Sequence, residues 1–275
     1  MMLVLRGLAA SAVLLLLKSY FHPTWDIAVS SLMIAFTLTW LTARSQDSGA
    51  MLVLILTGVY FILVALVNVP EGVLFDVIPI KQAPQIMTKA IIHAFILALA
   101  IAALFGRFKP ARVESAFEQM PLVALLWRLP LAMAVFIACT IVAGLIAIPF
   151  VKDFYESKAL PEPTAMLLML GLRAAAMVVA GLLLVHGLKC RRDAMMILSV
   201  AFPVIGVLAL LVQRNDVIPP HVCLVHTVEM LPYYILIGFI LALLFGPKNW
   251  RAPEQTVLSP TSFPALEKLT PVKKG

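Results

Sequence analysis

Eight apolar stretches, each close to the length of a bilayer crossing, constrain this chain more than any other feature. They run about 3–20, 24–43, 50–69, 89–106, 128–150, 164–187, 194–213 and 228–246. Roughly 20 apolar residues in a helix cross a hydrocarbon core. Of the regular structures, only helices and closed barrels satisfy their own backbone polar groups in lipid, and runs of this length suit helices. The 275 residues are 62% hydrophobic and 13% charged, and that charge is about half of what a soluble domain carries. Such a chain cannot cover a globule with polar surface, so its principal partner is the lipid bilayer. The expected fold is all-α: a polytopic transmembrane bundle of about eight spans.

The net charge of +7 raises nucleic acid as a partner, but the placement of the charges argues against it. The basic residues sit in the short connectors between apolar runs, which is how topology is encoded. With the N-terminus, 44–49, 107–128, 188–193 and the C-terminal tail on one side, fourteen Lys and Arg residues face six on the other, Arg173 aside. That excess predicts both termini in the cytoplasm, in a bacterial or archaeal cytoplasmic membrane. Arg6 followed by an apolar stretch resembles a signal peptide. No small-x-small cleavage motif follows, and the stretch reads as an uncleaved first span.

The order of the runs suggests two four-span halves in the same orientation, 1–110 and 128–248. The stretch 48–66 resembles 192–210, 93–109 resembles 233–249 with a shared Leu-Phe-Gly exit, and 5–13 more weakly resembles 127–135. Duplications of this kind place sites near the junction of the repeats. The connector 111–127 carries Val113, Phe117 and Met120 at helical spacing and suits an interfacial helix. The tail 249–275, rich in Pro, Ser and Thr, reads as disordered and solvated.

Arg173 is the sharpest polar signal. It stands alone in the apolar run 164–185. Nine residues from the start of that helix place it ~13 Å below the end, at 1.5 Å rise per residue. An arginine at that depth costs roughly 2.5–3.5 kcal/mol on the insertion scale, so it needs a compensating group or a watery cavity. Gly171, Ala174, Ala175, Ala176, Ala180 and Gly181 surround it with a close-packing face, which turns the arginine into the bundle. The available carboxylates on the same side are Asp26, Glu71, Asp76 and Glu229. Either one of them closes an ion pair on Arg173, or the planar five-donor guanidinium awaits a carboxylate or phosphate.

Histidines add a second lead. His226 and Glu229, three apart, share a helix face, whereas His221 is turned away by about 140°. This is not the spacing of a metalloprotease helix, and no metal or other cofactor is implied. His93 and His186 fall at opposite depths, which argues against a shared haem. Pro203 should kink the seventh span. Trp25, Trp40, Trp127 and Trp250 fall near span ends, as an aromatic belt requires. Cys139, Cys190 and Cys223 form no disulfide or metal pattern.

Three classes of function remain. One is a transporter-like protein with an outward-facing pocket, built around Arg173, Glu229, Asp26, Glu71 and His226, for a small anionic ligand or lipid headgroup. Another is a non-catalytic subunit or scaffold that binds partner membrane subunits through small-residue faces. The third, an enzyme using the outer-side His and Glu, is least favoured because their spacing matches no known catalytic motif.

Overall fold

The structure is a computed structural model that describes residues 1–19, 24–109, 120–156, 161–213 and 218–250. The core of the proposed interfacial segment, 110–119, and the tail from 251 onward lie outside the described residues. Among the described residues every regular element is helical. The helices are α1 (Met2–Ser19), α2 (Trp25–Arg44), α3 (Gly49–Phe61), α4 (Val69–Leu74), α5 (Ala83–Leu104), α6 (Leu122–Glu156), α7 (Pro163–Val185), α8 (Arg191–Pro203), α9 (Ala209–Leu211) and α10 (Pro220–Phe245). A single π-helical turn continues α3 at Ile62–Leu66, and another continues α8 at Val204–Leu208.

Seven of the helical stretches, counting Gly49–Leu74 and Arg191–Leu211 each as one, are long and apolar enough to cross a membrane. The 18-residue α1 packs along α2 and α5 ahead of them. Helices alternate in direction, so the bundle has a near end, holding Met2, Arg44, Gly49 and Phe245, and a far end, holding Trp25, α4, Glu156 and Pro220.

Several helices outrun their apolar stretches. Hydropathy marks the hydrocarbon thickness, whereas helix ends are set by backbone chemistry. α10 begins at Pro220, where the missing N–H costs nothing in the first turn. His221, His226 and Glu229 therefore all lie on helix. α6 runs 35 residues, with Pro130 and Pro149 absorbed inside it.

Both π turns have local causes. Asn68 donates through Nδ2 to the carbonyls of Leu63 (2.8 Å) and Val64 (3.3 Å), satisfying groups that the wider turn frees. Pro203 removes a backbone donor just before the second turn, and Gln213 Nε2 donates to the Ala209 carbonyl behind it (2.8 Å). The expected kink at Pro203 thus takes the form of a widened turn.

Within the first half of the chain α1 lies on α2, α3 on α5, and α1 on α5. Within the second, α6 lies on α7, α8 on α10, and α6 on α10. At the near end the Gly49 amide donates to the Arg107 carbonyl (2.8 Å) and the Arg191 amide to that of Asn249 (2.7 Å). Between the halves, Ser45 pairs antiparallel with Leu188, and the Gln46 amide donates to the Gly187 carbonyl (2.9 Å). Buried Asp47 accepts from Ser45 Oγ (2.7 Å) and meets His186 Nδ1 (2.8 Å), while Arg44 pairs with Asp193 (2.6 Å). These contacts close the near end.

Helices approach most closely where glycine faces backbone. A Cβ on Gly238 of α10 would meet the Leu198 carbonyl of α8 at 2.5 Å, whereas one on Gly171 would meet nothing within 4 Å. Overpacking costs typically 1–3 kcal/mol. Gly238→Ala should therefore lower the melting temperature in detergent by about 2–10 °C, and Gly171→Ala should leave it unchanged. Thiol-dye melting curves of the purified variants check this.

Candidate functional site

Arg173, in the middle of α7, is 5% exposed, and its neighbours account for its survival there. Nη1 donates to Glu71 Oε2, and Nη2 donates to the hydroxyl of Tyr234 (2.8 Å). Nε is buried and makes no hydrogen bond. An ion pair closes on the arginine, yet the guanidinium retains donor capacity.

Each partner is delivered by a local feature. Glu71 stands in the first turn of α4, the short helix launched from the Asn68-capped π turn with Pro70 near its start. An acid in a first turn also suits the positive end of the helix dipole. The returning chain folds over α4, with the amides of Val77 and Ile78 both donating to the Gly72 carbonyl (2.8 and 2.9 Å). Tyr234 comes from the centre of α10 and is fully buried. Its ring passes Gly206 in the second π turn, where a Cβ would come within 3.1 Å of it. Phe136 of α6 meets the Tyr234 ring edge-on, with centroids 6.4 Å apart.

Beside this pair lies a hydrogen-bonded row. Glu229 Oε2 is 2.8 Å from His226 Nδ1, and His226 Nε2 is 2.9 Å from Tyr155 Oη. A carboxylate only accepts, so Nδ1 carries a proton towards Glu229, and Nε2 shares a hydrogen bond with the tyrosine hydroxyl. Glu229 thereby orients the imidazole and fixes its tautomer. Tyr155 is stacked edge-on between Phe75 (5.7 Å) and His226 (6.0 Å).

Both groups line one cavity of about 1010 Å³, with walls from α4, α6, α7 and α10. That volume is at the upper end of small-molecule sites, which run ~300–1,000 Å³. It holds Arg173, Glu71, Glu229, His226 and Tyr155, with Lys152 paired to Glu156 (3.2 Å) at the rim. A second, apolar crevice of about 700 Å³ between α6 and α10 adjoins it and shares Ala147 and Glu229.

Four of the five residues singled out from the sequence thus meet in one place: Arg173, Glu71, Glu229 and His226. Asp26 does not line this cavity; it is buried in the first turn of α2. Asp76 is exposed, with left-handed backbone (φ 54°), where the chain turns after α4. His221 is exposed and faces away, as its spacing required. Tyr155 and Tyr234 were not anticipated. Tyr155 lies beyond the apolar run of its helix, and the only sign of Tyr234 was a mid-span Tyr-Tyr pair.

Comparison of the chain with protein-family models, curated proteins and solved structures found no match.

The two partners of the ion pair are not equivalent. Arg173 is nearly sealed, while Glu71 is 35% exposed. Removing Glu71 strands a buried cation, whereas removing Arg173 leaves an acid that solvent partly reaches. Glu71→Ala should destabilise the detergent-solubilised protein by about 3 kcal/mol, and Arg173→Met by clearly less. The double variant should melt above Glu71→Ala alone, as a double-mutant cycle on melting temperature would show.

Proposed function

We propose that this protein is a membrane carrier whose far-end cavity receives the anionic group of a solute or lipid headgroup at Arg173. The carrying observation is a buried guanidinium that faces a large cavity with an unpartnered Nε and is held there by an acid that is itself partly exposed. A ligand phosphate or carboxylate can take the place of Glu71 at low cost, because Glu71 then turns to solvent rather than being stranded. Arginine suits such recognition because its fork matches both groups bidentately.

The contrast between the two ends supports transport. The near end is tied by the Ser45–Leu188 pairing and the Asp47 and Asp193 contacts, while the far end is hollow. Carriers alternate between such forms around a site at the junction of their repeats.

A duplication of two four-span halves, with eight spans in all, fits the same reading. The within-half packing is alike in both, and the Gly49–Arg107 bond has its counterpart in Arg191–Asn249. Superposing those two bonds equates Gly49 with Arg191, two residues from the register in which 48–66 resembles 192–210, and Ser45 then corresponds to Gly187 and Gln46 to Leu188. The antiparallel contact between the halves therefore maps onto itself, as a two-fold axis along the bundle requires. With both termini in the cytoplasm, the cavity opens outward.

A scaffold whose small-residue face binds partner helices is less well supported. Ala174 and Ala180 are fully buried in the bundle, and Gly181 packs against Leu241 of α10. The face offered by α7 is already used internally.

Proteoliposomes provide the test, with labelled glycerol phosphate and a fluorescent phosphatidylethanolamine as probes. At least one probe should cross about tenfold faster than in protein-free vesicles. Arg173→Lys, which keeps the charge but loses the fork, should return it to background while gel-filtration behaviour is preserved. If neither probe moves, the carrier reading fails. In a cysteine-free background, Ile80→Cys should react with an impermeant maleimide on intact cells and Phe108→Cys only after permeabilisation. The reverse pattern would invert the orientation.

A further inference from the structure

We infer that the ligand of this cavity is a zwitterionic amphiphile, with its phosphate and ammonium in the Arg173 site and its hydrocarbon in the groove between α6 and α7. The inference rests on the carrier reading and specifies its substrate class.

The cavity opens towards the lipid-facing side of the bundle. Its wall follows α6 from Thr140 to Glu156, about 24 Å of helix, so it is a long slot rather than a bowl at the water surface. The lips of the slot are Leu145 (64% exposed), Ile148 (52%) and Leu167 (63%). In a membrane-spanning bundle, exposed leucine and isoleucine on mid-helix faces look into lipid. Gly144, which lines the slot, has nothing within 4 Å of where its Cβ would stand. The slot is therefore open sideways. A hydrated ion would gain nothing from such walls, whereas an acyl chain fits them.

The charges in the cavity favour a headgroup of both signs. Arg173 is matched by Glu71 and Lys152 by Glu156, while Glu229 adds a third carboxylate on the cavity wall, hydrogen-bonded to His226. A purely anionic ligand that displaced Glu71 would sit next to two carboxylates, Glu71 and Glu229. A headgroup carrying both signs resolves this. Its phosphate takes the arginine fork in place of Glu71, and its ammonium lies between Glu71 and Glu229 with the Tyr155 and Phe75 rings alongside. Ammonium over aromatic rings is favourable in its own right.

The placement also suits movement. Arg173 lies ~15 Å below the start of α7 at Pro163, so a headgroup bound there has left the interface while its chains remain in lipid. A slot with Glu71, His226, Glu229 and Arg173 on its inner side lowers the cost of that passage, because the charged end follows those groups while the chains face lipid.

Binding to the purified full-length protein tests this with three probes: dihexanoyl-phosphatidylethanolamine, glycerophosphoethanolamine and dihexanoyl-phosphatidic acid. The first should bind at least about tenfold more tightly than the second, which lacks chains, and the third, which lacks the amine. Gly144→Leu, which fills the slot without touching a polar group, should weaken the first about tenfold and leave the second unchanged. Leu145→Trp, at the lip, should act in the same direction should Gly144→Leu fail to fold. Equal affinity for the chain-free headgroup, or no effect of either slot variant, overturns the amphiphile. Tighter binding of phosphatidic acid overturns the zwitterion. In each of those cases loss of binding in Arg173→Lys still upholds Arg173 as the ligand site on which the carrier reading rests. Binding that survives Arg173→Lys sinks both.

Discussion

The arrangement of this molecule's far end follows from the requirement that a guanidinium sealed in an apolar bundle be compensated. An uncompensated buried cation would outweigh much of a fold that is stable by only about 5–15 kcal/mol. Compensation at that depth needs partners from other helices, and each partner carries structural demands. Glu71 requires that the chain leave α3 early and re-enter the bundle as α4, which the Asn68-capped π turn allows. Tyr234 requires a gap in α8, which Gly206 and the π turn after Pro203 supply. The two irregular turns flank the same side chain and make the space in which it is neutralised.

Much of this was legible in the sequence, for a simple reason. In lipid the cost of a misplaced charge is high, so a lone arginine and the acids able to meet it stand out against the apolar background. Among the described residues, seven helices rather than eight are long and apolar enough to cross a membrane. The apolar helices, the inward direction of Arg173, the candidacy of Glu71, and the shared face of His226 and Glu229 all followed from spacing and depth. The choice of Glu71 over Asp26 did not. Both acids stand at the same end of the bundle, and only the packing of the π turn before α4 against α7 separates them. Tyr155 was hidden because hydropathy ends a span where the hydrocarbon ends, while the helix runs on to Glu156. Tyr234 was hidden because a tyrosine in an apolar run reads as bulk until its hydroxyl has a named acceptor or donor.

A buried ion pair on its own is weak evidence of function, since such pairs also lock helices together. Here the asymmetry of the pair carries the argument. A purely structural pair gains most when both partners are sealed, whereas Glu71 is left partly open on the rim of a large cavity. The arginine, by contrast, keeps an idle donor in its interior. That arrangement sacrifices stability on the side from which a ligand would arrive. Sites that must exchange one partner for another have this character, because a fully satisfied pair would be displaced only at the full cost of desolvating an acid.

The proposed duplication sharpens the same point. In the register that equates Gly49 with Arg191, the position in α2 that corresponds to Arg173 is Ser31, a small buried residue. Its neighbour Ser30 accepts from Gln213 Nε2 (2.8 Å), just past α9, and from the ammonium of Lys18 (3.4 Å). The segment after α8 thus reaches across to α2 much as the segment after α3 reaches across to α7. One crossing is made with an amide and a hydroxyl, the other with a carboxylate and a guanidinium. An architectural contact between halves needs only the first, since neutral groups bridge two helices without the desolvation penalty of ions. A carboxylate and a guanidinium at this crossing in one half, opposite an amide and a hydroxyl in the other, are what divergence of a binding site from a structural contact would leave behind.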